Sequence, residues 1–176
     1  PWKYILGLLG ISLVGFAILV TFKPYLMERV KTFVNPNENG HTSSYQLQQS
    51  LIAIGSGGVF GRGLGQSIQK FNYLPEPQGD SIFAVIGEEL GLFGTLATLL
   101  LLTLLLFSIF KLALRASDPM VRYVAAGIGC WIAIQTILNI GSAISVLPVV
   151  GVTLPLVSYG GSALIATYMG IGFVLG

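Results

Sequence analysis

Four runs without a charged side chain, Tyr4–Phe22, Leu90–Phe110, Tyr123–Leu147 and Leu156–Gly176, constrain this chain more than any other feature. Each is close to the length, about 20 residues, that a helix needs to cross the hydrocarbon of a bilayer. In lipid a backbone must satisfy its own hydrogen bonds, which leaves helices and closed barrels. The runs lack the alternation of a barrel strand, so helices are expected. Composition agrees: 53% of residues are hydrophobic and 9% charged, against about 25% charged in soluble domains. The expected fold class is an all-α integral membrane protein, a polytopic helical bundle with one large extracytoplasmic loop at about 23–79. Residues 1–176 are read as part of a single membrane domain. No repeat of about 20–50 residues is visible.

A net charge of +2, scattered along the chain, gives no footprint for nucleic acid. Cys130, the single cysteine, offers neither a disulfide framework nor a thiolate metal site. The chain begins at Pro1 and stops inside an apolar run, so it is read as a piece of a longer protein, without the charged start of a signal peptide.

The loop between the second and third runs holds Lys111, Arg115 and Arg122, whereas Pro148–Pro155 carries no charge. The positive-inside tendency puts Lys111–Arg122 in the cytoplasm. Alternation then places Lys3 inside and residues 23–79 outside, although that long loop also carries basic residues. Within it, Ser43 and Gln46 have capping-box spacing and predict a short helix that Gly55 could end. Residues 55–67, GSGGVFGRGLGQS, are too rich in glycine for a helix. They satisfy neither common phosphate-loop pattern and are read as a tight irregular loop against the membrane face, with Arg62 a weak anion-binding candidate. His41 has no partner at ligand spacing.

Four acids lie in the stretch LPEPQGDSIFAVIGEELG, residues 74–91: Glu76, Asp80, Glu88 and Glu89. Asp80 precedes a long helical run, so its plainest role is an N-cap, which does not exclude a catalytic one. At about 1.5 Å per residue, Glu88 falls about 12 Å below Asp80, near the outer edge of the hydrocarbon. At about 100° per residue Glu88 sits some 80° around the helix from Asp80, with Glu89 opposite. Glu88 is therefore expected to share a cavity with Asp80, and Glu89 to meet a neighbouring helix or the interface. Acids at such depth are functional candidates, with snorkelling or ion pairing as the structural alternative. Gln135, Asn139 and Ser142 share one face of the third run and are expected to look into the bundle. Gly87 and Gly91 permit close helix approach.

Several long motifs together carry a resemblance. PYLMERVKTFVNP at 24–36, YQLQQSLIAIGSGGVFGRGLGQSIQK at 45–70, YLPEPQGDSIFAVIGEELG at 73–91 and LPVVGVTLPLVSYGGS at 147–162 are similar to the SEDS family (shape, elongation, division and sporulation). RVKTFVNP and SIQKFNYLPEP resemble its FtsW branch more than its RodA branch. The resemblance implies a ten-helix protein of the bacterial cytoplasmic membrane, of which this chain would be the last four helices and a large outer loop. It implies a peptidoglycan glycosyltransferase that polymerises lipid II during cell division, at the septum, beside a class B penicillin-binding protein and other divisome membrane proteins. The family's essential acid maps onto Asp80, the expected general base. A divalent cation, Mg or Mn, or basic residues would neutralise the leaving diphosphate; Arg62, Lys70 and Arg29 are candidates, with Glu76 in the loop presenting Asp80. Glu88, Gln135 and Asn139 are expected around the cavity. The chain departs from many relatives at Gln78, Gly79 and Ser81, so no histidine contact to substrate is implied. A lipid II flippase, a RodA-like elongation polymerase and a scaffolding subunit are the alternative readings.

Overall fold

The computed structural model describes residues 42–175, together with 3, 4, 6–8, 10–12, 14, 15 and 29. Two compact units emerge, residues 1–44 and residues 45–176. In the first, the described residues between 3 and 15 and Arg29 are helical. The rest of the expected span Tyr4–Phe22, and His41, lie outside the described residues. Elsewhere the helices are α1 Thr42–Gly57, the single-turn α2 Gln69–Asn72, α3 Ile82–Arg115, α4 Pro119–Ala143 and α5 Gly161–Leu175. Among the described residues there is no strand.

Helices α3 and α4 are long and apolar enough to cross a membrane, and α5 is a shorter apolar helix. Only 17% of the most apolar window of α3 is buried, too little for the core helix of a soluble protein. Leu92, Phe93, Leu96, Leu100, Leu101, Leu104 and Phe107 are all exposed, an outward face that suits acyl chains. The hydroxyls on this helix are satisfied locally: Thr98 donates to the carbonyl of Gly94 and Thr103 to that of Leu99, the arrangement lipid demands. Small residues then allow α4 to approach, with Gly129 facing Ile109 and the ring of Phe110.

The helix limits depart from the apolar runs for identifiable reasons. Pro119 opens α4 and Asp118 caps it, its Oδ1 accepting from the Met120 amide at 2.8 Å, so this helix starts before the expected Tyr123. It also stops at Ala143 rather than Leu147. Ser145 adopts φ 62°, its amide donates to the Ser142 carbonyl and that of Val146 to the Gly141 carbonyl. This is a Schellman ending with serine where glycine is usual, which hides it in an apolar run. Similarly, α5 begins at Gly161, five residues after the expected Leu156. Helix α1 passes the expected Gly55 and ends at Gly57, where Gly58 takes φ 58°.

The largest departure is inside α3. Gly91 has φ 64° and ψ −156°, which breaks the helix between its first turns and its long apolar part. Residues 58–63 insert into the break. The amides of Leu92 and Phe93 donate to the carbonyls of Gly58 and Val59, while the amides of Arg62 and Gly63 donate to those of Glu88 and Glu89. Every backbone group released by the break that takes part in this exchange finds a partner, the condition for non-helical backbone at membrane depth. A Cβ at Gly91 would collide with the Gly61 amide nitrogen, and one at Gly57 with the Gly87 carbonyl. The glycine-rich segment is thus a tight loop lying against α3, and the close approach allowed by Gly87 and Gly91 is to α1 and this loop.

Candidate active site

Asp80 stands in a tight turn just before α3. Glu76, at φ 47°, accepts from the amides of Gly79 and Ser81, and so folds the Pro75–Asp80 segment back on itself. Asp80 does not cap the helix. Ser81 occupies the cap position, and no side chain bonds to the first helical amides. The Asp80 carboxylate is instead held by Gln46 of α1, whose Nε2 donates to Oδ2 at 3.2 Å. The same amide lies 3.1 Å from Ser81 Oγ. That hydroxyl is 3.1 Å from the Pro75 carbonyl and 3.4 Å from Asp80 Oδ1, two acceptors for its single proton.

The main chain is fixed from the other side. Asn139 of α4, 1% exposed, donates both amide hydrogens: to the Asp80 carbonyl at 2.8 Å and to the Val152 carbonyl at 2.7 Å. One side chain therefore ties the Asp80 turn to α4 and to the segment between α4 and α5. That segment makes its own tie, the Tyr159 amide donating to the Gln78 carbonyl at 2.7 Å. Gln46, Ser50, Asp80, Ser81, Ser142, Ala143 and Val149 line the resulting cleft, whose interior of about 10 Å³ has room for about one water. A half-buried carboxylate with polar neighbours and part of its hydrogen-bonding capacity uncommitted can accept a proton from a hydroxyl placed beside it.

Glu88 does not share this cleft. It is 1% exposed and accepts from Ser67 Oγ at 2.6 Å and from the amides of Ile68 at 3.1 Å and Gln69 at 3.3 Å. Arg62 Nη1 lies 3.8 Å from the same carboxylate. The helical-wheel estimate misplaced it because α3 starts only at Ile82 and the loop covers the face on which Glu88 lies. Glu89, expected against a helix or the interface, pairs with Lys70 at 2.9 Å. Arg62 and Lys70 are thus engaged by acids of α3, and neither lines the Asp80 cleft. Arg29 belongs to the first unit. Gln135 is half-buried and absent from the cleft wall, whereas Ser142, on the same stripe, does line it. Gln46 is the residue that sequence reasoning misassigned: its spacing from Ser43 suggests a capping box, but its amide turns to Asp80. The Ser43 side chain lies outside the described residues. Ser81, noted only as a departure from relatives, joins the hydrogen-bond network. Among the described residues there is no group of three or more His, Cys, Asp or Glu placed to hold a metal ion.

Apolar helices exposed along their length, with a lone acid gripped at the loop end of the bundle, define a helical integral membrane protein with a polar site at one face. The chain belongs to the cell cycle protein family of FtsW, RodA and SpoVE, whose profile matches residues 1–176. It is 49% identical over 170 residues to stage V sporulation protein E of Bacillus subtilis, covering 97% of this chain and 46% of that protein. Against a probable peptidoglycan glycosyltransferase FtsW of Tolumonas auensis it is 48% identical over 167 residues, covering 93% and 44%. The chain thus spans about half the length of the curated relatives it matches. Among solved structures it is similar to a chain of a peptidoglycan synthase complex that coordinates polymerization and crosslinking, with TM-score 0.72 and 33% identity over 99% of this chain and 48% of that one. It is also similar to an aspartate-to-alanine mutant of the rod shape determining protein RodA of Thermus thermophilus, with TM-score 0.55 and 40% identity over 72% and 38%. The family resemblance carried by the sequence motifs is borne out.

Proposed function

We propose that the full-length protein containing this chain is a peptidoglycan glycosyltransferase that polymerises lipid II at the outer face of the cytoplasmic membrane, with Asp80 as general base. The reading rests on one observation above all: the Asp80 carboxylate is not used to cap α3 but is turned into a polar cleft beside Gln46 and Ser81. The relatives named as peptidoglycan glycosyltransferases supply the chemistry that such an acid would serve.

In that reaction a sugar hydroxyl attacks the anomeric carbon of the donor. The new carbon–oxygen bond forms as the bond to the polyprenyl diphosphate breaks, and the electron pair leaves with the diphosphate. The hydroxyl proton passes to Asp80, a contribution of typically about 10²–10⁴-fold. A divalent cation, Mg or Mn, would stabilise charge on the leaving diphosphate. Among the described residues no cluster of acids or histidines would hold such an ion by itself, so it would be held chiefly by the substrate diphosphate and water, which leaves Asp80 free to act as the base. Arg62 or Lys70 could serve the diphosphate only by exchanging their present acidic partners, which makes them weaker candidates than they were from sequence.

A class B penicillin-binding protein is the proposed partner, by analogy with the synthase complex, and the division septum the proposed location. A lipid II flippase would need polar groups through the midplane. Asn139, the most buried of the polar residues on α4, has both amide hydrogens committed to structural bonds, which favours the enzyme. The decisive experiment supplies lipid II to the full-length protein purified with its transpeptidase, comparing wild type with Asp80→Asn. Glycan strands should fall by at least about 100-fold with folding and partner binding retained. Undiminished polymer from the variant would remove Asp80 as the base.

A further inference from the structure

The opposite end of α3 carries a second feature that glycan chemistry does not use. Phe107, Phe110, Lys111, Leu114 and Arg115 line a groove of about 360 Å³. At about 100° per residue these five share one face of the helix. Phe110 forms its inner wall, its ring packed against α4 so closely that a Cβ at Gly129 would stand 3.1 Å from it. Phe107 and Leu114, 63% and 78% exposed, leave the groove open sideways. The unbroken apolar part of the helix, from Leu92 after the break at Gly91, reaches Phe110 after about 28 Å, close to the thickness of a hydrocarbon core, so Lys111 and Arg115 stand at headgroup level.

Among the described residues neither of these two cations has an acidic partner; the ion pairs there join Arg62 to Glu88 and Lys70 to Glu89. Lys111 Nζ instead sits 5.9 Å from the Phe107 ring centroid. Asp118, the acid nearest in sequence, accepts the Met120 amide at the start of α4, and Arg122 donates to the Ala116 carbonyl. Two cations without an acidic partner among the described residues, above an open apolar groove, match an amphiphile with a negative head and hydrocarbon chains. A soluble anion would gain nothing from the phenylalanine and leucine walls, and a zwitterionic lipid would bring a cation against Lys111 and Arg115.

We infer that this groove is a binding site for an anionic phospholipid of the leaflet facing Lys111 and Arg115, assigned by charge to the cytoplasmic side. Its acyl chains lie along Phe107, Phe110 and Leu114, and its phosphate is held by the two basic side chains. The inference is independent of the glycosyltransferase reading.

The test uses full-length protein in nanodiscs holding equal amounts of phosphatidylglycerol and phosphatidylcholine, with a photoreactive acyl chain on one lipid at a time. Crosslinks are mapped by mass spectrometry, and helix content is checked by circular dichroism. The phosphatidylglycerol probe should label residues 107–115 in preference to the phosphatidylcholine probe. The double variant Lys111→Gln, Arg115→Gln should reduce that labelling by about fivefold for each cation removed, with phosphatidylcholine labelling unchanged. Equal labelling of the wild type by both probes would mean ordinary annular lipid and overturn the site. So would undiminished phosphatidylglycerol labelling of the variant, or no labelling of this segment because protein covers it. The wild-type comparison decides the question even if the variant fails to fold.

Discussion

At the scale of single residues, the site depends on two amides rather than on a second acid. Gln46 holds one oxygen of Asp80 at 3.2 Å, so Gln46→Ala should slow lipid II polymerisation by about 5- to 30-fold, the rate equivalent of a hydrogen bond worth about 1–2 kcal/mol. Gel analysis of glycan strands would measure it, with partner binding unchanged. Asn139 acts on the main chain. Asn139→Leu would leave the carbonyls of Asp80 and Val152 without its donors, at a cost of about 1–3 kcal/mol for each buried group. A lowered unfolding temperature in detergent, together with reduced polymer, is the expected outcome. Asp80 and Asn139 were legible in the sequence as an acid at a membrane edge and an amide on an inward stripe. The tie between them was not, because 59 residues separate them and no local pattern encodes that distance.

At the scale of elements, the break in α3 and the loop that fills it form one structure. Glu88 gathers three hydrogen bonds from Ser67, Ile68 and Gln69, and the four exchanged backbone bonds run alongside. Glu88→Ala would strip those donors of a charged acceptor and should cost about 3 kcal/mol or more. Glu88→Gln keeps an acceptor oxygen and should cost less, so thermal melts of the two variants should separate them. Gly91→Ala should be severe, about 2–4 kcal/mol, because alanine disfavours φ 64° and its Cβ would meet the inserted loop. Faster proteolysis within 58–67 would report the released loop. The sequence marked this region as glycine-rich, irregular and close-packed. It did not show a helix break at Gly91, since the composition around it is that of an uninterrupted apolar helix and only the incoming carbonyls and amides make the break tolerable.

For the whole molecule, the pattern of charge predicts an orientation that labelling can test. Cys130 is exposed and would first be replaced by alanine. Gln66→Cys should then react with a membrane-impermeant maleimide in intact spheroplasts, and Ser117→Cys only after permeabilisation. Labelling of both from the same side would overturn the topology. Both positions are exposed in the structure, so a missing signal would reflect sidedness rather than burial.

By itself the sequence determined the solvent, the helical class and the family, and it singled out Asp80 as the candidate acid. Long uncharged runs can satisfy their backbone in lipid only by coiling, and a carboxylate at the edge of such a run must be justified locally. Tertiary structure alone decided which acid is held by buried donors and which borders an open cleft. Glu88 and Asp80 are both carboxylates near the membrane surface. The loop folded over α3 supplies one with buried donors, while the turn before α3 leaves the other facing a cleft. That difference comes from residues 19 to 59 positions away along the chain, where hydrogen-bond partners, not periodicity, settle the outcome.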